Sequence, residues 1–179
     1  MQVLIVVGSQ REGNSLRIGS KIKETFDKQN IKTELVIPGK QKINLCTGCL
    51  ECDETNKCIY DDDMKRNLEL FDKSDYIVFI TPSRFSLLSG DLKIFIDRLN
   101  PLCSICDFSS KKFIGISVGQ TSKEDKYIDS SLNSLIEFSN NCNMNNIFNY
   151  KFYNCYGEND LEISNINKMC SELEKILEE

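Results

Sequence analysis

The sequence has no histidine. That absence removes the Ser-His-Asp and Cys-His nucleophile systems, the HExxH zinc sites and the usual general base at neutral pH. Any chemistry must rest on cysteine, carboxylates, lysine or a bound cofactor. Long apolar runs are also lacking. Val3 to Val7 is too short for the core of a signal sequence or for a membrane span, and Gly8-Ser9 ends it. The expected setting is therefore cytoplasmic, with no membrane partner, where thiols stay reduced. There is no basic footprint either: the net charge is −5 and Lys and Arg are dispersed, which disfavours a nucleic-acid partner. No repeat or low-complexity linker interrupts the 179 residues, so a single domain spanning 1–179 is expected.

Cysteine, by contrast, is plentiful, with nine in all. Four of them, Cys46, Cys49, Cys52 and Cys58, follow a C-x2-C-x2-C-x5-C pattern. Several thiolates in one short loop form a soft-ligand cage suited to an iron–sulfur cluster or zinc. Structural zinc usually takes two C-x2-C knuckles set further apart, so the spacing leans toward iron. It is not a copy of the bacterial ferredoxin run, because Ile59 rather than proline follows Cys58. Thiols or disulfides without metal are the remaining reading. Cys103-x2-Cys106 does not open a helix after a strand, so structural thiols are expected there rather than a redox pair. Cys142, Cys155 and Cys170 are expected to be packing residues.

Strand and helix periodicities alternate along the chain. Continuous apolar runs at 2–7, 76–80 and 113–118 predict strands buried on both faces, and 32–37 and a segment within 146–153 complete five. Helical stripes follow: Ile18, Ile22 and Phe26; Met64, Leu68 and Phe71; Leu92, Phe95 and Leu99; Ile128, Leu132 and Leu135; Ile166, Met169 and Leu173. The cysteines fall in an irregular stretch at about 38–60. The triplet Asp61-Asp62-Asp63 reads as a helix N-cap with favourable charges, and Asp97-Arg98 as a structural charge pair at a helix end. Five β–α units with right-handed crossovers give a doubly wound α/β fold, a five-stranded parallel sheet in the flavodoxin-like order 2-1-3-4-5.

Such a sheet binds ligands beyond the carboxyl ends of its strands, at the switch between strands 1 and 3. The loop there is Gly8-Ser9-Gln10-Arg11-Glu12-Gly13-Asn14-Ser15, directly ahead of a helix. Small residues admit a ligand close to the backbone, the helix N-terminus favours an anion, and Arg11 can add a planar doubly donating contact. Neither GxGxxG nor Gly-Lys-Ser/Thr is present, so a mononucleotide phosphate fits best. A plain helix cap by Asn14 or Ser15 is the other reading. The loop from Thr81 to Gly90 can offer backbone donors and an aromatic edge to a flat ring, and Gly119-Gln120-Thr121 would form a third wall.

Gly8-Ser9-x-Arg11-x-Gly13-Asn14-Ser15 resembles the flavin phosphate loop of the NADPH-dependent FMN reductase family. Thr81-Pro82, Ser89-Gly90-x-Leu92-Lys93 and Phe95-Ile96-Asp97-Arg98 resemble its second block. The compact cysteine motif followed by Asp62-Asp63-Met64 is similar to the iron–sulfur flavoprotein branch. The resemblance implies FMN, with its phosphate near Ser9, Gln10, Arg11, Asn14 and Ser15, and its ring near Thr81, Pro82, Ser83, Arg84, Phe85 and Gly119. It also implies a [4Fe-4S] cluster on Cys46, Cys49, Cys52 and Cys58, and a homodimer or homotetramer. Arg84 stands where many relatives carry tyrosine; it would either place charge beside a reduced flavin or point to solvent. The expected activity is that of a flavin-dependent oxidoreductase with no side-chain nucleophile. It would pass electrons between cluster, flavin and a ferredoxin-type carrier or small acceptor. An NAD(P)H-dependent FMN, quinone or nitro reductase without a cluster is one alternative; a cysteine-based metal or redox sensor is another.

Overall fold

The computed structural model describes residues 1–105 and 107–177, with backbone only at 103–105. The side chains of Cys103 and Cys106, expected above to be structural thiols, lie outside the described residues. Five strands form one parallel sheet: β1 (Gln2–Val7), β2 (Lys32–Val36), β3 (Tyr76–Pro82), β4 (Lys112–Val118) and β5 (Asn145–Phe152). Their order is β2-β1-β3-β4-β5, the flavodoxin-like order expected from the sequence. The chain reverses its direction of travel across the sheet between β1 and β3, which opens a crevice beyond their carboxyl ends.

Alternation along each strand divides the core in two. Val3, Ile5 and Val7 pack with Ile18, Ile22 and Phe26 of α1 (Asn14–Lys28) and with Ile166, Met169 and Leu173 of α6 (Ile163–Leu177). Leu4 and Val6 face the opposite way, toward α3 (Met64–Lys73), α4 (Gly90–Asp97) and α5 (Tyr127–Asn141). On that face Phe79 meets Phe95 and Phe113 edge-on and stacks on Phe138. Each such ring contributes about 1.5–3 kcal/mol through burial.

The last helix begins at Ile163; ahead of it the Asp160 carboxylate accepts the Gly157 N–H at 2.7 Å and holds a turn. β5 was blurred in sequence for two reasons. It is an edge strand, and its register against β4 slips between Phe113 and Ile114, where Asn146 and then Phe148 are the partners. The cysteine stretch is irregular as expected, apart from one 3-10 turn at Pro38–Lys40 and the short helix α2 (Glu51–Thr55). No described helix is long and apolar enough to cross a membrane.

Candidate functional site

The loop after β1 builds the first part of the site. Gly8 marks a close crossing with the start of α4: an added Cβ would sit 2.5 Å from Ser89 Oγ and 2.8 Å from Leu92 Cβ. From there the chain turns at Arg11–Gly13 and enters α1, whose N-terminal residue Gly13 is extended and whose first turn receives no side-chain cap. The plain-cap reading of Asn14 and Ser15 is therefore not what the structure shows. An uncapped N-terminus leaves backbone N–H groups and the positive end of the helix dipole facing the crevice.

Asn14 is buried and faces a different task. Its amide nitrogen donates to Asp160 Oδ1 at 2.6 Å and to the Gly157 carbonyl at 3.2 Å. Its amide oxygen accepts from the Leu161 N–H at 3.3 Å and from Arg17 at 3.2 Å. Asn14 thus fastens the loop after β5 across the loop after β1. Hydrogen bonds from the Gly157 backbone, Asn14 and the Tyr156 backbone outweigh burial and hold the Asp160 carboxyl below its ordinary range.

These loops line an open cavity beyond the carboxyl ends of the strands. Of the residues expected from the sequence, Ser9, Arg11, Asn14, Ser15, Pro82, Ser83, Arg84 and Gly119 line it. Gln10, Thr81 and Phe85 do not. Gln10 donates to Asp91 at 3.2 Å, beside α4. Thr81 is fully buried; its hydroxyl accepts the Ser89 N–H and donates to the Pro82 carbonyl, pinning the loop that carries Pro82 and Ser83. Phe85 and Ser86 form the tip of a small turn closed by the Arg84–Leu87 bridge, both with left-handed backbone (φ 49° and 64°), and the Phe85 ring projects into solvent. Cys155 and Gly157 also line the cavity and were not singled out as ligand contacts. The signal was available, since β5 must end on the same edge of the sheet as β4. Burial, reinforced by Asp160, pushes the Cys155 thiol up to about 11, so it stays neutral at physiological pH.

A second cavity shares no lining residue with the first. All four motif cysteines line it. The loop winds around it through three left-handed residues, Gly48 (φ 66°), Leu50 (φ 63°) and Asn56 (φ 56°). Gly48 has no atom within 4 Å of the Cβ it lacks, so its glycine serves the backbone and not a tight contact. Cys46 and Cys49 are exposed, Cys52 and Cys58 half-buried, and all four are free thiols. Among the described residues no group of three or more ligand side chains is drawn together at metal-binding distances. The donor set nonetheless suits a soft metal or an iron–sulfur cluster: four sulfurs lining one cavity, no competing histidine, and a polar wall that includes Asn100, whose amide points to Cys46 Sγ at 3.8 Å.

The far wall of this cavity is the C-terminal end of α4. Arg98 was expected to pair with its neighbour Asp97. Instead Asp97 takes Lys93, and Arg98 turns inward. There it grips Asp62 with both terminal nitrogens, at 2.8 and 3.0 Å, and donates to the Asn44 carbonyl at 2.6 Å. Of the acidic triplet, Asp62 does receive the Met64 N–H at the start of α3, but its main partner is this buried cation. Burial alone would raise the Asp62 carboxyl; the hydrogen bonds from Arg98, Asn44 and Met64 overcome it and bring it down to about 2.

The sequence profile of the NADPH-dependent FMN reductases matches residues 1–154. The chain belongs to that family. Its curated relatives include an iron–sulfur flavoprotein of Methanocaldococcus jannaschii, 32% identical over 103 residues, which are 57% of this chain and 53% of the relative. Another, from Archaeoglobus fulgidus, is 29% identical over 102 residues, 56% of this chain and 46% of that one. The matched part thus spans about half the length of these relatives. Among solved structures, the chain is similar to an NAD(P)H:quinone oxidoreductase from Methanothermobacter marburgensis, with a TM-score of 0.75 at 14% identity over 100% of this chain and 98% of the other. An azoreductase from Bacillus anthracis gives 0.74 at 13% identity, covering 98% of each chain. At these identities the structural likeness speaks for the fold.

Proposed function

We propose that this member of the FMN reductase family is a flavin-dependent oxidoreductase that binds FMN in the cavity between the loops after β1, β3, β4 and β5. The observation that carries the reading is the uncapped N-terminus of α1 at the switch of the sheet, with Ser9, Arg11 and Ser15 around it. The FMN phosphate would lie against that terminus, held by backbone N–H groups and Arg11. Pro82, Ser83, Arg84 and Gly119 would border the ring. Thr81 keeps the Pro82 loop in place, and the loop fastened by Asn14 shields the inner side from water. Bound FMN supplies the redox chemistry, accepting one or two electrons; no side chain need act as nucleophile.

The cysteine cavity would hold an iron–sulfur cluster on Cys46, Cys49, Cys52 and Cys58, as the names of the curated relatives suggest. A cluster exchanges one electron at a time, so this chain would join a one-electron carrier of the ferredoxin type, or NAD(P)H, to a small acceptor. It would do so in the cytoplasm as a homodimer or homotetramer. Anaerobic purification tests the reading: flavin bands, a broad shoulder near 400 nm and about four iron per chain are expected. A second reading, an NAD(P)H-dependent reductase without a cluster, is favoured by the open spread of the four thiols. Flavin bands without iron, together with NAD(P)H turnover, would decide for it. Zinc without flavin would overturn both and leave the metal-sensor reading.

A further inference from the structure

Arg98 is one of the largest side chains that the fold buries completely, with 2% of its surface exposed. A guanidinium there loses its hydration, which costs several kcal/mol unless protein groups replace water. Two of its three nitrogens are provided for. Nη1 and Nη2 hold the Asp62 carboxylate in a two-point fork, and Nη1 also meets the Asn44 carbonyl. The Tyr60 ring lies 5.1 Å from the guanidinium carbon and covers it. Nε is different. It is buried and has no acceptor among the described residues.

A buried N–H without an acceptor is costly, and folded proteins carry few of them. This one belongs to a side chain that walls the cysteine cavity together with Cys58. The Cys58 thiol is close enough to the guanidinium for their charges to interact. The acceptor that fits the place is therefore sulfur. A thiol is a weak acceptor and leaves the N–H poorly satisfied; a metal-bound thiolate is a strong one.

We propose that Arg98 is a positioning residue of the cysteine site, donating Nε–H to the Cys58 sulfur while Asp62 locks the guanidinium in that orientation. The inference rests on the cluster reading of the loop given above. Reduction potentials of clusters depend on net charge and on hydrogen bonds to their sulfurs. Adding an electron makes the cluster more negative, so a fixed cation and an N–H donor at one sulfur favour the reduced form. The Asp62 carboxylate lies behind the guanidinium fork and weakens this field without cancelling it. Arginine is required by shape: its planar fork serves the carboxylate and leaves Nε–H for a second partner, whereas lysine is a point charge on a flexible stem.

The test compares wild type, Arg98→Lys and the double variant Arg98→Met/Asp62→Leu. Exchanging both partners of a buried ion pair for apolar groups often leaves stability unchanged, so the double variant isolates the electrostatic role. Each protein is reconstituted anaerobically with iron and sulfide and titrated with dithionite, with the cluster followed by electron paramagnetic resonance and the melting temperature recorded in parallel. The double variant is expected to melt near wild type and to hold about tenfold less reduced cluster at a fixed potential, a fall of about 59 mV for a one-electron couple. Loss of iron from a folded double variant also supports the proposal. A reduced-cluster fraction within a factor of two of wild type at the same potential, at equal iron content, would overturn it. Should the double variant not fold, Arg98→Lys decides, with a threefold or larger loss of reduced cluster expected and none contradicting the proposal. If wild type takes up no iron, the cluster reading fails, and Co(II) becomes the probe of Arg98 itself. Thiolate-to-cobalt charge-transfer absorption should then show at least tenfold weaker Co(II) binding in the double variant; equal affinity sinks the assignment.

Discussion

Replacing Asn14 by alanine tests how the proposed flavin cavity is closed. The side chain connects α1 to the loop after β5, 143 to 147 residues away in sequence. Alanine removes the donor to the Gly157 carbonyl and orphans the buried Leu161 N–H. Leaving aside the water-exposed Asp160 carboxylate, those two losses sum to about 2 kcal/mol, at roughly 1 kcal/mol for each hydrogen bond. The cost should fall on closure of the 153–161 loop and not on the sheet, because β5 keeps its own pairing with β4. If the closed loop is needed for FMN, its affinity should fall by up to about 30-fold, since 1.4 kcal/mol corresponds to tenfold. FMN fluorescence quenching would measure affinity, and hydrogen exchange would report protection of 153–161 in the apoprotein. Two results would refute the reasoning. One is unchanged affinity despite an unprotected loop. The other is weakened affinity with the loop fully protected, which would make Asn14 a direct phosphate contact.

Three further outcomes are expected. Asp62 titrates at about 2 in the folded chain against an ordinary 3.8, so its contribution to stability is fully present above pH ~4 and is lost as pH falls toward about 2. Urea midpoints measured across that range should lose this component in Asp62→Asn, which should also destabilise by about 3–5 kcal/mol by leaving Arg98 buried and unpaired. Gly48→Val places a β-branched residue at φ 66° where no atom crowds it; iron retention after reconstitution should drop while the melting temperature stays within a few degrees. Lys111→Met removes a buried ammonium that donates to the Asp72 and Ser74 carbonyls at 2.6 and 2.8 Å between the Phe71 and Phe108 rings. Denaturant unfolding should show a loss of about 2–3 kcal/mol with FMN affinity unchanged.

The sheet was legible because β1, β3 and β4 are buried on both faces and read as apolar runs, with glycine or Pro-Gly ending the first two strands. The switch between strands 1 and 3 followed from that order, and with it the place of Ser9, Arg11 and Ser15. Side-chain partners were harder to read. Asn14 and Ser15 look like a local cap, but Asn14 reaches a loop more than 140 residues on, and no local pattern reports such a contact. Arg98 next to Asp97 looks like a surface pair, yet adjacent residues on a helix point in different directions and Arg98 turns into the core. Asp62 likewise hid within an acidic triplet whose neighbours are ordinary surface carboxylates. Phe85 was drawn toward the ring by its chemistry and away from it by a left-handed turn that a Phe-Ser pair does not announce.

The two cavities differ in how much of the chain they need. The cysteine cavity is bounded by residues between Cys46 and Pro101, and its supporting ion pair by Asp62 and Arg98. The flavin cavity draws on the loop after β1 and on Cys155 and Gly157, and Asp160 and Leu161 complete its fastening. On a ribosome adding about 5–20 residues per second, several seconds separate the two. The residues that bound the sulfur site are therefore all made before the last wall of the other cavity exists.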